Sequence, residues 1–190
     1  MTLTVASEDI AGSPEFRHLT SIDGIAIDLR YATSNNFVGR DLYSPFDCAW
    51  LHRDAAEALE KVVAWLKQRR PGLTPLVLDA LRPQRVQQQL WDALAGTGLQ
   101  MYLADPARGS IHSYGMALDI TLLDEQGREL DMGTGFDDMT DLSHPALEEG
   151  FAAAGKLSGE QLANRRLLRE AMLEAGFFGI NTEWWHFDCG

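Results

Sequence analysis

Two short stretches of this sequence gather residue types that do chemistry. Ser110-Ile111-His112-Ser113-Tyr114-Gly115-Met116-Ala117-Leu118-Asp119 holds an imidazole and a carboxylate seven positions apart, and Glu183-Trp184-Trp185-His186 holds a second pair three apart. Zinc in hydrolases takes three nitrogen or oxygen ligands and keeps one position open for water. His112, Asp119 and His186 meet that count, one zinc per chain, and Glu183 remains as the base beside the water. A single carboxylate among the ligands leaves the site positive, which is what acidifies the water.

Backbone geometry constrains the idea. In a straight strand His112 and Asp119 would stand about 23 Å apart on opposite faces, so the chain must turn between them. Ser113-Tyr114-Gly115 offers the turn, because Gly115 can take backbone angles closed to other residues. Glu183 and His186 would also face oppositely in a flat strand, so a bulge or a strand entry near Trp184 is required. Asp119, between Leu118 and Ile120, reads as a charge on a buried strand and needs a partner. Trp184, Trp185 and Phe187 read as core and pocket wall. His18, His52 and His144 have no comparable company and read as surface or structural residues. Cys48 and Cys189, without CxxC spacing, read as free buried thiols rather than ligands or a bridge.

The elements that must position these groups follow from periodicity. Gly24–Tyr31 alternates like a strand, and 32–43 is loop-like. Between Arg53 and Arg69, Ala55, Leu59, Val62, Val63 and Leu66 recur at helical spacing, and Pro71-Gly72 ends the helix after a basic last turn. Pro75–Leu81 is a short apolar strand; Arg82-Pro83 opens a second helix through Val86, Leu90, Ala93 and Leu94. Residues 96–113 are loop-rich, and Met116–Leu123 is the clearest strand. Residues 131–155 read as an irregular excursion, 160–174 as a helix with Leu162, Leu167, Leu168, Ala171 and Met172 inward, and Glu183–Asp188 as a final strand. The pattern predicts an α+β single domain with a central, mostly antiparallel sheet flanked by helices.

Composition narrows the partners. The 190 residues are 45% hydrophobic and 23% charged, the balance of a folded globule. With 28 acids against 16 bases the net charge is −12, which repels phosphate backbones and argues against nucleic acid. No apolar run approaches the ~18 residues of a membrane span. Met1–Ile10 lacks a basic start and apolar stretch, so it does not read as a secretory signal. Two cysteines are too few for a disulfide scaffold, and a cytoplasmic, reduced setting is expected.

Beyond the two motifs, the sequence resembles the D-alanyl-D-alanine dipeptidases of VanX type, within the zinc D,D-peptidases that share His-x6-Asp and Glu-x-x-His. The resemblance runs through Asp28-Leu29-Arg30-Tyr31-Ala32-Thr33, Asn36-Phe37, Asp79-Ala80-Leu81-Arg82-Pro83, Met132-Gly133, Phe136-Asp137, Asn164-Arg165-Arg166-Leu167-Leu168-Arg169 and Gly176-Phe177 to the final motif. It implies a hedgehog-like fold, a catalytic domain over 21–190 and an N-terminal extension over 1–20. It also implies zinc on His112, Asp119 and His186, Glu183 as general base, and Arg82 as the arginine that stabilises the transition state. Asp137 matches a residue that holds the substrate's amine, and Ser110 and Tyr31 match pocket residues, Ser110 on the carboxylate side. The activity implied is zinc-dependent hydrolysis of the small dipeptide D-Ala-D-Ala. Alternatives are a D,D-carboxypeptidase or endopeptidase acting on longer peptidoglycan peptides, and a non-catalytic zinc- or peptidoglycan-binding module. Tyr114 stands where some members carry Arg, and Leu81 where an aromatic residue is common; both are expected to alter the pocket wall.

Overall fold

The computed structural model describes residues 9–190; most of the Met1–Ile10 segment lies outside the described residues. The strands are β1 (Phe16–His18), β2 (Ala26–Ile27), β3 (Trp50–His52), β4 (Thr74–Asp79), β5 (Ala117–Leu123), β6 (Phe177–Gly179) and β7 (His186–Cys189). The helices are α1 (Arg53–Arg69), α2 (Gln84–Ala93), α3 (Glu148–Ala153) and α4 (Gly159–Glu174). Five strands form one sheet in the order β2-β4-β5-β7-β6. Among the described residues only its β2–β4 pair is parallel and its other three pairs are antiparallel, so the expected α+β architecture with a mostly antiparallel sheet is what forms.

Strand β5 is the centre of this sheet. Leu118, Ile120 and Leu122 alternate onto one face and are fully buried in the main core with Leu59 and Val62 of α1 and Leu168 and Met172 of α4. Burying each such side chain contributes about 1.5–3 kcal/mol. The opposite face carries Asp119 and Thr121. A carboxylate can therefore sit at the end of the best-packed strand and inherit its rigidity.

Helix α1 occupies the span its periodicity predicts. The side chain of His52 caps it by accepting from the Asp54 amide, and Lys67 and Arg69 lie in its last turn. Helix α4 starts with a capping box between Ser158 and Gln161 and ends before Gly176, whose φ is +97°.

Several expectations are corrected. The first predicted strand shrinks to Ala26–Ile27, because a 3₁₀ turn takes over at Arg30–Ala32. The last strand begins at His186 rather than Glu183. The excursion over 131–155 contains a helix, α3. In α4 the inward position expected for Leu167 is half-taken, and Arg165 is buried instead. Within the segment set apart as residues 1–20, β1 pairs antiparallel with β3, and Leu19 is fully buried.

Candidate active site

Asp119 on β5 and His186 on β7 are paired directly across the ladder. Asp79 at the end of β4 pairs with Asp119 from the other side, after a register shift following Val77. Residues opposite one another in a sheet project to the same face, so three neighbouring strands deliver two acids and an imidazole to one spot. His112 arrives from outside the sheet, on a 3₁₀ turn over Ile111–Tyr114 that ends at Gly115 with φ +66°. A side chain at Gly115 would meet the His52 amide at 2.8 Å and the Phe16 ring at 2.9 Å. Glycine here thus serves both the turn and the close approach of β3, whose His52 amide donates to the Gly115 carbonyl.

The three donors form a tight triangle. His112 Nε2 lies 3.4 Å from Asp119 Oδ1, His186 Nδ1 lies 3.0 Å from that same oxygen, and the two ring nitrogens are 3.2 Å apart. Donors bound at ~2.0–2.1 Å to tetrahedral zinc stand about 3.4 Å from one another, so the triangle has the size zinc needs. The outer nitrogens agree. His112 Nδ1 donates to the Ala80 carbonyl at 2.8 Å, and His186 Nε2 donates to Asp188 Oδ1 at 2.9 Å. Each bond holds a proton on the outer nitrogen, so that the nitrogen facing the triangle is the one a cation would occupy in place of a proton, the usual arrangement behind metal-bound histidines. Burial pulls the His186 imidazole down, but hydrogen bonds to Asp119 and Asp188 outweigh it and lift its pKa to about 10. Burial raises Asp119, yet His112 and His186 bring it well below the ordinary carboxylate range. The surroundings favour positive charge between these groups, which suits a cation.

Arg82 is buried beside the triangle. Its Nε donates to Asp79 at 2.8 Å, its Nη1 to Gln87 at 3.1 Å, and its Nη2 to Asp119 Oδ2 at 3.3 Å. The guanidinium lies 5.2 Å from the Tyr31 ring centre. Asp79, fully buried, also accepts from Tyr43 Oη. An arginine held at three corners keeps its planar fork in one orientation.

Two further carboxylates complete the cleft. Glu183 stands in the bend that leads into β7, and its carboxylate has no hydrogen-bond partner among the described residues. Burial and the negative charge of Asp119 push its pKa up to about 7, against the lowering effect of His186. Asp137 lies on the excursion with φ +60°, a non-glycine residue in the left-handed region, and accepts from Tyr31 Oη at 2.8 Å. Burial first, then Asp119, raises its pKa well above the ordinary carboxylate range. The excursion is fastened by Arg165, whose guanidinium donates to the Met132 carbonyl at 2.6 Å, the Leu142 carbonyl at 2.9 Å and Thr134 Oγ1 at 3.3 Å. Trp184 Nε1 donates to that same hydroxyl.

All eight residues singled out from the sequence, His112, Asp119, His186, Glu183, Arg82, Asp137, Ser110 and Tyr31, line one cleft of about 190 Å³. That is below the ~300–1,000 Å³ of clefts that hold drug-sized ligands, so a small substrate is indicated. The turn at Gly115 and the strand entry before His186 are the two devices the spacing demanded. Trp185 lines the cleft, while Tyr114 and Leu81 do not; Tyr114 is half exposed and Leu81 is buried elsewhere. The expectation that these two alter the pocket wall is therefore corrected. Sequence reasoning missed Asp79, Gln87 and Asp188. Asp188 left a signal, since it follows His186 by two on one strand and must share its face. Asp79 left one too, as a charge in the apolar run Pro75–Leu81. Gln87 left none.

Comparison with known proteins adds an independent line. The family model described as Peptidase_M15, D-ala-D-ala dipeptidase, matches residues 15–190. The chain is 40% identical over 164 residues to the D-alanyl-D-alanine dipeptidase of Escherichia coli strain K12, covering 86% of this chain and 78% of that protein. It is 31% identical over 187 residues to the D-alanyl-D-alanine dipeptidase of Enterococcus faecium, covering 87% and 86%. Among solved structures, the LdcB LD-carboxypeptidase superposes with a TM-score of 0.51 at 15% identity, covering 93% of this chain and 68% of that one. This last likeness concerns the fold.

Proposed function

Since the chain belongs to the D-Ala-D-Ala dipeptidase family of M15 peptidases, we propose that its cleft hydrolyses D-Ala-D-Ala to two D-alanines with zinc held by His112, Asp119 and His186. The observation that carries this reading is the triangle of donors, 3.0–3.4 Å on a side, with both outer imidazole nitrogens already engaged. The enzyme is a zinc metallopeptidase. When bound, zinc supplies Lewis acidity toward the scissile carbonyl and a nucleophilic water at neutral pH.

The chain's own groups do the rest. Glu183, with a pKa near 7 and a free carboxylate, takes the proton of the attacking water and passes it to the leaving amine as the C–N bond breaks. Arg82, fixed by Asp79 and Gln87, presents a cation to the oxyanion that develops on the carbonyl. Asp137, oriented by the Tyr31 hydroxyl, pairs with the substrate's free ammonium. Its raised pKa describes a carboxylate short of positive charge, and an ammonium restores it. Four carboxylates line the cleft against one arginine; a divalent metal and one ammonium together balance that excess. Ser110, on the opposite loop, faces the substrate carboxylate.

A base and a fixed arginine serve no purpose in a silent binding module, and a carboxylate waiting for an ammonium favours a dipeptide over a longer chain. Among the described residues no helix is long and apolar enough to cross a membrane. Both cysteines are free, as the cytoplasmic setting we propose from the sequence would leave them. The deciding experiment is a panel of L,L and D,D dipeptides, N-acetyl-D-Ala-D-Ala and longer peptides with zinc-loaded protein. Cleavage of free D-Ala-D-Ala far above the rest is expected. Preference for the blocked or longer peptides would replace the dipeptidase reading with a carboxypeptidase or endopeptidase.

A further inference from the structure

The walls of the cleft come from two loops fastened to different helices. The first follows α2 and carries Tyr102 and Ser110. It is tied back to α2 by Gln84 Nε2 donating to the Pro106 carbonyl at 2.5 Å, by Gln87 Nε2 donating to the Ala104 carbonyl at 2.7 Å, and by Gln100 Nε2 donating to the Trp91 carbonyl at 3.0 Å. The second carries Asp137 and runs on to His144. It is tied to α4 by Arg165 and by Asn164 Nδ2 donating to the Asp131 carbonyl at 2.9 Å.

Among the described residues, one hydrogen bond runs directly from loop to loop: Tyr102 Oη and His144 Nε2 are 2.8 Å apart. The rings meet edge-on at 60°, with centres separated by 5.6 Å. Tyr102 lines the cleft, and His144 stands behind it, outside the lining. The contact therefore lies at the rim, between the loop that bears Ser110 and the loop that bears Asp137.

We propose that the Tyr102–His144 contact is a crosspiece that fixes the span of the cleft at one dipeptide, making both side chains specificity-determining residues. The inference rests on the proposed function, in which Asp137 holds the amine and Ser110 faces the carboxylate. Two loops anchored to separate helices keep their own shapes, but their separation is set by whatever joins them. With the crosspiece closed, the distance between amine site and carboxylate site is fixed, and the cleft encloses only about 190 Å³. A peptide longer by one residue must displace Tyr102 or spread the loops, and either course breaks the bond. The residues act on substrate length, not on the reacting atoms.

The test uses the full-length zinc-loaded enzyme with D-Ala-D-Ala and D-Ala-D-Ala-D-Ala. The variants are Tyr102→Phe, His144→Leu and the double variant, each checked for zinc content and melting temperature. Each single change should raise the kcat/KM ratio of tripeptide to dipeptide by about five- to tenfold, the factor a single hydrogen bond carries. The double variant should raise it no further, because both singles remove the same bond. A merely structural role would lower both substrates together and leave the ratio where it was. An unchanged ratio in an enzyme active on the dipeptide, or two single effects that multiply in the double variant, overturns the crosspiece alone. A wild type inactive on free D-Ala-D-Ala overturns the function reading and the crosspiece with it.

Discussion

Asp119 and His186 stand opposite each other on neighbouring strands, whereas Asp137 and Ser110 stand on loops that no strand pairing reaches. The first pair is placed by the sheet ladder and by the apolar packing of Leu118, Ile120 and Phe187 between them. The second is placed by side chains that reach out from helices and grasp backbone carbonyls, Arg165 and Gln87 foremost. Ladder bonds are many and cooperative, while a grasp is a few discrete bonds. The difference separates two tasks: of the three groups proposed to meet one ion, Asp119 and His186 ride on strands and His112 on a turn pinned to the residues after β4 through Ala80 and Arg82, while the groups proposed to recognise the substrate ride on loops. Changes on the strands should therefore move metal and turnover, and changes on the loops should move the choice of substrate.

The largest effect is expected from the strand side. His186→Ala removes one of the three proposed zinc donors and leaves Asp119 without its 3.0 Å partner. Metal analysis after dialysis should show zinc strongly reduced and turnover abolished, with the sheet intact by circular dichroism. Zinc retained at wild-type affinity would remove His186 from the ligand set and break the comparison at its root. Glu183 lies at the junction, in the bend before β7. Glu183→Gln should keep zinc and fold but lower kcat about 10²–10⁴-fold, because an amide cannot accept the water proton. Turnover at the wild-type rate would pass the role of base to another carboxylate.

The same division explains what was legible in the sequence. Helices α1 and α4 and strand β5 were readable because their apolar residues recur over many positions, and periodicity is a local signal. The proposed ligands, which the structure brings together, were readable because each motif is a short run of distinctive types. Strands β1, β3 and β6, of three residues each, are too short to show a period, and only their partners make them strands. Arg165 was unreadable as an anchor. It occupies a helical position where an arginine is ordinarily solvated, and it is 1% exposed because the carbonyls of Met132 and Leu142 lie over it. Asp79 reaches the site through Arg82, and Gln87 through Arg82 and the Ala104 carbonyl, relations that the fold creates and spacing does not express.

On the loop side, Asp137→Ala should act on choice. A charge-assisted bond from ammonium to carboxylate contributes about 1.5–3 kcal/mol, or about ten- to a hundredfold in kcat/KM. Free D-Ala-D-Ala should lose that factor while N-acetyl-D-Ala-D-Ala, already poor, changes little, and zinc content should stay constant. Equal losses on both substrates would show that Asp137 supports the loop rather than the amine.

The smallest effect is expected from Asp188→Asn, back on the strand side. Asp188 Oδ1 accepts from His186 Nε2 at 2.9 Å, and the bond does two separable things. It fixes the tautomer that turns Nδ1 toward Asp119 and His112, and its negative charge makes the imidazole a stronger donor. Asparagine keeps an accepting oxygen in the same place, so the tautomer survives and only the charge is lost. Zinc affinity should fall by less than the ~10–100-fold that loss of such an outer partner ordinarily costs, and the ratio of free to blocked substrate should not move. Asp188→Ala, which removes the acceptor altogether, should reach that full range. If Asn and Ala variants lose zinc equally, the charge rather than the orientation holds His186 in place, and the precision credited to the ladder belongs in part to electrostatics. A shift in substrate choice from either variant would mean that strand and loop do not divide the work as their anchoring suggests.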